Sequence, residues 1–182
     1  MSYKNENMKM IELHENGLDI QFRIRENGVV ELADFSSQEV KKAVMEPKED
    51  ICYPAVEIHR SGTGSLNMHA YKNNINQSSV DFVYENHELK AQDGGKELEI
   101  VMVSLEKLKA VYHMRLFDGV PAVQTWTEII NEGSEDQGLT YVSSFMYQGI
   151  SRGGKKPYYK KTDIYVPFNS WCCEAQWQKY DA

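Results

Sequence analysis

Apolar and polar residues alternate along much of this chain, and the alternation breaks at turns that contain glycine. The clearest case is LDIQFRIRENGVVELADF (18–35), where Leu18, Ile20, Phe22 and Ile24 alternate with Asp19, Gln21, Arg23 and Arg25. Asn27-Gly28 follows, and Val30, Leu32 and Asp34 resume the period of two. Successive strand side chains point to opposite faces, and Asn-Gly readily adopts the positive φ of a tight turn, so this stretch predicts a β-hairpin. SQEVKKAVMEPKED has no clean alternation and reads as a charged connection ending near Pro47, while YPAVEIHRSG (53–62) predicts a strand closed by the turn SGTGS. Residues 80–150 predict about five or six further strands, with turns at QDGGK, FDGVP and NEGSEDQG. Within them Val101, Val103 and Leu105 alternate in one strand, and Val111, His113, Arg115 and Phe117 in another. In AVQTWTEIIN, Val123, Thr125 and Thr127 oppose Gln124, Trp126 and Glu128. EKLKA (106–110) is too short for a helix. Many short strands with regular turns predict an all-β chain, a large antiparallel β-sandwich that takes residues 1–182 as one domain.

Composition narrows the partners. The chain has 182 residues, 41% hydrophobic and 26% charged, which suits a folded domain with a sizeable core. A net charge of −7 argues against nucleic acid or an anionic membrane as the main partner. The one basic run, SRGGKKPYYKK (151–161), reads as a solvated loop. Cys52, Cys172 and Cys173 are too few and too oddly spaced for a secreted disulfide framework or a zinc knuckle. The first residues lack the apolar core of a signal peptide, and no apolar run reaches the ~20 residues of a membrane span. A reducing, cytoplasmic setting is the expectation.

Catalytic machinery is scarce. There is no nucleophile elbow, P-loop, dinucleotide fingerprint or H-E-x-x-H. His14, His59, His69, His87 and His113 lie far apart with no ligand pair at short spacing, so no metal and no cofactor are expected. A β-fold can still gather separate histidines around a metal, and that remains a minority reading. Asp and Glu total 27, so carboxylate pairs cannot be picked by count. Cys172 and Cys173 have no neighbouring base and read as small, half-buried packing residues rather than nucleophiles. The aromatics are more suggestive. If residues 171–177 form one strand, Trp171 and Trp177 share a face, and Glu174 and Gln176 are close in sequence, supplying the groups that grip sugar hydroxyls around an aromatic platform. Core packing is the competing reading, above all for Trp177.

FDGVPAVQTWTEIINEG, then LTYVSSF, then FNSWCCEAQWQ, with the earlier NGVVELADF hairpin, together resemble the N-terminal domain of bacterial α-galactosidases of glycoside hydrolase family 36. The resemblance spans residues 10–180 and rests on the order and spacing of the motifs. It implies a β-supersandwich followed by a (β/α)8 catalytic barrel, in an oligomeric enzyme that hydrolyses terminal α-galactosides with retention. Both catalytic aspartates would belong to the barrel, so this chain would hold no catalytic residue and be inactive alone. The family motif D-F-R-x-P-A matches DICYPA here, which places a sugar-binding role on Asp50, with Cys52 where the family has arginine. SWCCE places the substrate-contacting tryptophan on Trp171. An autonomous carbohydrate-binding module and a structural docking domain are the alternatives.

Overall fold

The computed structural model describes residues 9–37, 52–63, 77–147, 163–170 and 172–181. The described residues are strand almost throughout, every pairing is antiparallel, and the single helical element is one turn. The chain divides into two compact units, Met1–Lys41 with Glu46–Gln148, and Lys42–Met45 with Gly149–Ala182.

Among the described residues, the first unit holds three sheets. β1 (Lys9–Glu15), β2 (Leu18–Ile24) and β3 (Val30–Ser37) form a meander. β4 (Ile58–Arg60) pairs with β9 (Leu139–Val142). β5 (Val83–Gln92), β6 (Gly95–Val103), β7 (Leu108–Phe117) and β8 (Val120–Asn131) form a second meander in chain order. The β2–β3 hairpin at Asn27-Gly28 is as the alternation predicts. A hairpin before it, β1–β2, turns at Asn16-Gly17 with φ of 52° and 82°. Ile11 and Leu13 alternate ahead of that Asn-Gly, so the same signal marked it.

Both meanders bury one face in a common core. Ile20, Phe22 and Leu32 come from the first, and Leu98, Ile100, Tyr112 and Met114 from the second. Phe22 meets Tyr112 edge to face, with ring centroids 5.7 Å apart. That shared core makes the unit a sandwich. Burial raises the pKa of the Tyr112 hydroxyl well above its ordinary value, and the bond to Thr125 only partly offsets it.

The core face of β6 and β7 is the parity of Leu98, Ile100 and Met102, and of Ala110, Tyr112, Met114 and Leu116. Val101, Val103, His113 and Arg115 therefore lie on the opposite face. Leu105 does not continue the β6 pattern. The chain reverses at Ser104–Lys107, where Lys107 takes φ 63°, and Leu105 stands 96% exposed at the turn. The strand predicted over 53–62 is shorter, because β4 covers only Ile58–Arg60. Its approach is nonetheless tied down, Ala55 N donating to Val30 O and Ser143 N to Glu57 O. Beside β4, the turn α1 (Gln77–Val80) presents two buried serines. Ser79 Oγ accepts from Ile58 N and Ser78 Oγ from Arg60 N, so side chains replace a neighbouring strand.

The second unit contains β10 (Asp163–Ser170) and β11 (Cys173–Asp181), paired antiparallel from Asp163↔Asp181 to Ser170↔Cys173. No helix among the described residues is long and apolar enough to cross a membrane.

Candidate functional site

Asp50 and Trp171, the two residues to which the resemblance assigns sugar contact, lie outside the described residues, as does the basic run 151–161. The segment that follows Asp50 is described from Cys52 and is fixed to the β2–β3 hairpin. Tyr53 N donates to Glu31 Oε1 at 2.9 Å, and Asn27 Nδ2 to Cys52 Sγ at 3.4 Å. Glu31, on β3, is 1% exposed. It also takes Arg23 Nη1 on Oε2 at 3.4 Å and Arg25 Nη1 on Oε1 at 3.2 Å. A buried carboxylate survives when cations and N–H donors surround it. Here that arrangement fixes the backbone three residues after Asp50. Cys52 and Tyr53 are thus held to β3 and to the turn before it.

The quoted motifs occupy successive elements of this unit. FDGVP forms the β7–β8 turn, AVQTWTEII is β8, and LTYVSSF runs from β9 into the following segment. Thr127 Oγ1 donates to Ser143 O at 2.9 Å, and Ser143 Oγ accepts from Glu57 N at 2.8 Å. The T-W-T-E, V-S-S-F and P-A-V-E stretches thus meet through backbone and hydroxyl bonds.

Polar chemistry concentrates on the face of β5–β8 opposite the core. Glu97 and Glu99 lie two apart on β6, and the register sets His113 of β7 directly opposite Glu99. His113 Nδ1 is 2.9 Å from Glu97 Oε1 and 4.0 Å from Glu99 Oε1, while Nε2 is 3.8 Å from Glu128 Oε2. Trp126, opposite His113 on β8, stacks on the imidazole with centroids 4.6 Å apart and planes 5° from parallel. Lys90 of β5 bonds Glu99 Oε2 at 2.5 Å, and that contact raises the lysine pKa.

The other described histidines serve local pairs. His14 is bonded to Asp19, which raises its pKa; His59 to Glu57; and His87 to the Tyr84 hydroxyl, with burial and then Lys9 lowering its pKa.

The second unit changes two readings. β10 ends at Ser170 and β11 starts at Cys173, so no single strand runs through 171–177 and the parity argument joining Trp171 to Trp177 does not apply. Trp177 is 65% exposed rather than packed in a core, in company with exposed Tyr165 and Tyr180. Cys172 is exposed with φ 62°, not half-buried, and sits at the hairpin reversal.

No protein family matches the chain, and no curated protein matches it. Solved structures do. The chain is similar to AgaA, a glycoside hydrolase family 36 α-galactosidase from Geobacillus stearothermophilus, at 14% identity and a TM-score of 0.43, over 70% of this chain and 23% of that one. A doubly substituted form of the same enzyme in complex with raffinose matches at 14% identity and a TM-score of 0.42, over 69% and 22% of the two chains. The chain thus spans less than a quarter of the length of that enzyme.

The Glu97–Glu99–His113 cluster is the arrangement that spacing along the chain did not reveal. His113 is 14 residues beyond Glu99 in the sequence, and only the β6–β7 register makes them neighbours. A signal existed in E-L-E before one strand turn and H-M-R after it, and it needed the pairing to be read.

Proposed function

We propose that this chain is the N-terminal β-sandwich of a retaining α-galactosidase that cleaves terminal α-galactosides on a (β/α)8 barrel elsewhere in the same protein. The observation that carries the reading is the ordered set FDGVPAVQTWTEIINEG, LTYVSSF and FNSWCCEAQWQ, the first two of which fall on consecutive elements of one sandwich. In this reading the domain supports oligomerisation and lends Asp50 and Trp171 to the sugar pocket. The Asp50 carboxylate accepts hydrogen bonds from galactose hydroxyls, charge-assisted and about twice as strong as neutral ones. Trp171 supplies a flat apolar wall. The Glu31 anchor supports this role, because it holds Tyr53 N and so restrains the segment that carries Asp50. Free Cys52 and Cys172 fit a cytoplasmic enzyme.

The test uses the full-length protein and 4-nitrophenyl α-galactoside. Asp50→Ala is expected to raise KM by at least the ~1–3 kcal/mol of an unpaired buried hydroxyl, roughly five- to hundredfold. Trp171→Ala is expected to weaken galactose binding. Unchanged KM and kcat in both variants would remove the assignment of these residues, and a full-length protein without α-galactosidase activity would remove the reading itself.

One observation favours a second reading, an autonomous carbohydrate-binding module: Trp177, Tyr165 and Tyr180 are all exposed on the β10–β11 hairpin. Titration of this chain alone with galactosides separates the two. Saturation at micromolar to low millimolar sugar, lost in Trp177→Ala, would establish the module.

A further inference from the structure

We propose that Glu97, Glu99 and His113 form a binding site for a divalent first-row transition ion of the Zn2+ type. One ligand atom from each lies within 4.8 Å of the other two. Ligands that share an ion at about 2.0–2.2 Å sit roughly 3–4 Å apart, so small side-chain movements suffice. Two carboxylate oxygens with one imidazole nitrogen suit a borderline ion, whereas Ca2+ and Mg2+ favour oxygen alone. Three protein ligands leave further positions for water or an exogenous ligand.

The scaffold is rigid. All three residues are placed by the β6–β7 ladder, and none depends on a loop. The parallel Trp126 ring fixes the imidazole plane. Lys90 occupies Glu99 Oε2 and leaves Oε1 turned toward His113.

The imidazole is the buried member of the set. His113 is 7% exposed, and its Nε2 is buried with no hydrogen-bond partner among the described residues. Without an ion, Nδ1 and Glu97 Oε1 share a hydrogen bond at 2.9 Å; an ion bound to Nδ1 takes the place of that proton, and the hydrogen then sits on Nε2. Nε2–H then points at Glu128 Oε2, 3.8 Å away on a side chain 57% exposed and free to close the distance. A histidine that binds a metal through one nitrogen and a carboxylate through the other is the usual outer support of such sites, so Glu128 is the positioning residue. The site lies on the sandwich itself and is independent of the α-galactosidase reading.

The test is calorimetric titration of the chelator-treated chain with Zn2+, with Co2+ as an absorbance probe of coordination. One ion is expected to bind per chain with micromolar or tighter Kd and to raise the melting temperature. Glu97→Gln and Glu99→Gln should each weaken binding more than tenfold and abolish the thermal shift. Glu128→Gln should cost about tenfold, as loss of an outer partner does. His14→Gln, at an exposed histidine on another sheet, should change nothing. No stoichiometric binding, or binding undiminished in both glutamine variants, would overturn the site; these two variants decide the matter even where His113→Asn fails to fold.

Discussion

Glu31 shows how much one side chain can organise. It sits among Arg23, Arg25 and the Tyr53 amide at the junction between the first meander and the segment after Asp50. Glu31→Gln preserves volume but removes the charge that faces two guanidiniums, one of them buried. Breaking a buried pair by deleting one partner costs about 3–5 kcal/mol, and urea unfolding should show a loss of that order. The same variant leaves Tyr53 N a neutral amide oxygen in place of a carboxylate, which weakens its bond, so Cys52 should react faster with a thiol reagent under native conditions. A stability loss under ~1 kcal/mol with unchanged Cys52 reactivity would mean that the segment is held by its other contacts, the Ala55 N to Val30 O bond foremost.

At the scale of elements, glycine turns do two different jobs. Gly119, in the β7–β8 turn, has φ 71° and open space where a Cβ would stand. Gly28 has φ 84°, and a Cβ there would lie 2.8 Å from Val83 Cβ. Its carbonyl also accepts from Tyr84 N, so the β2–β3 hairpin is stitched to β5 at this point. Gly119→Ala should cost about 1–2 kcal/mol for the left-handed backbone alone. Gly28→Ala should cost about 1–3 kcal/mol more, because it overpacks a contact between two sheets. Equal losses by denaturant unfolding would show that Val83 yields without strain. The hairpins themselves were readable because Asn16-Gly17, Asn27-Gly28 and Asp118-Gly119 carry their turn chemistry in the sequence. The buried face of β6 was not. Val101 and Val103 are as β-branched as Ile100, and only the position of the opposing sheet decides that Leu98, Ile100 and Met102 go inside. The polar cluster was hidden for the same reason, since Glu99↔His113 is a fact of register rather than of spacing. Asp50 came from the family resemblance alone, whereas Trp171 also stood out among the aromatic and polar residues of SWCCEAQW.

At the scale of the whole sandwich, the question is what makes β1–β3 and β5–β8 one folding unit rather than two meanders side by side. Either meander alone would leave its apolar face in water, so each is stabilised by burying that face against the other. Phe22 and Tyr112 sit at that junction, at 0% and 1% exposure, with their rings nearly perpendicular at 64°. The edge of one ring then meets the electron-rich face of the other, an arrangement worth about 0.5–1.5 kcal/mol beyond the area buried. Phe22→Leu and Tyr112→Leu each remove one ring while keeping a large apolar side chain. In a double-mutant cycle by urea unfolding, the two losses should fall short of additivity by that amount, because the second substitution has no ring left to lose contact with. The transition should stay single and keep its slope in both single variants, since neither meander survives the departure of the other. Strict additivity would place the coupling elsewhere in the core. A split transition would show the two meanders to be separate folding units, and the sandwich would then be a docked pair rather than one domain.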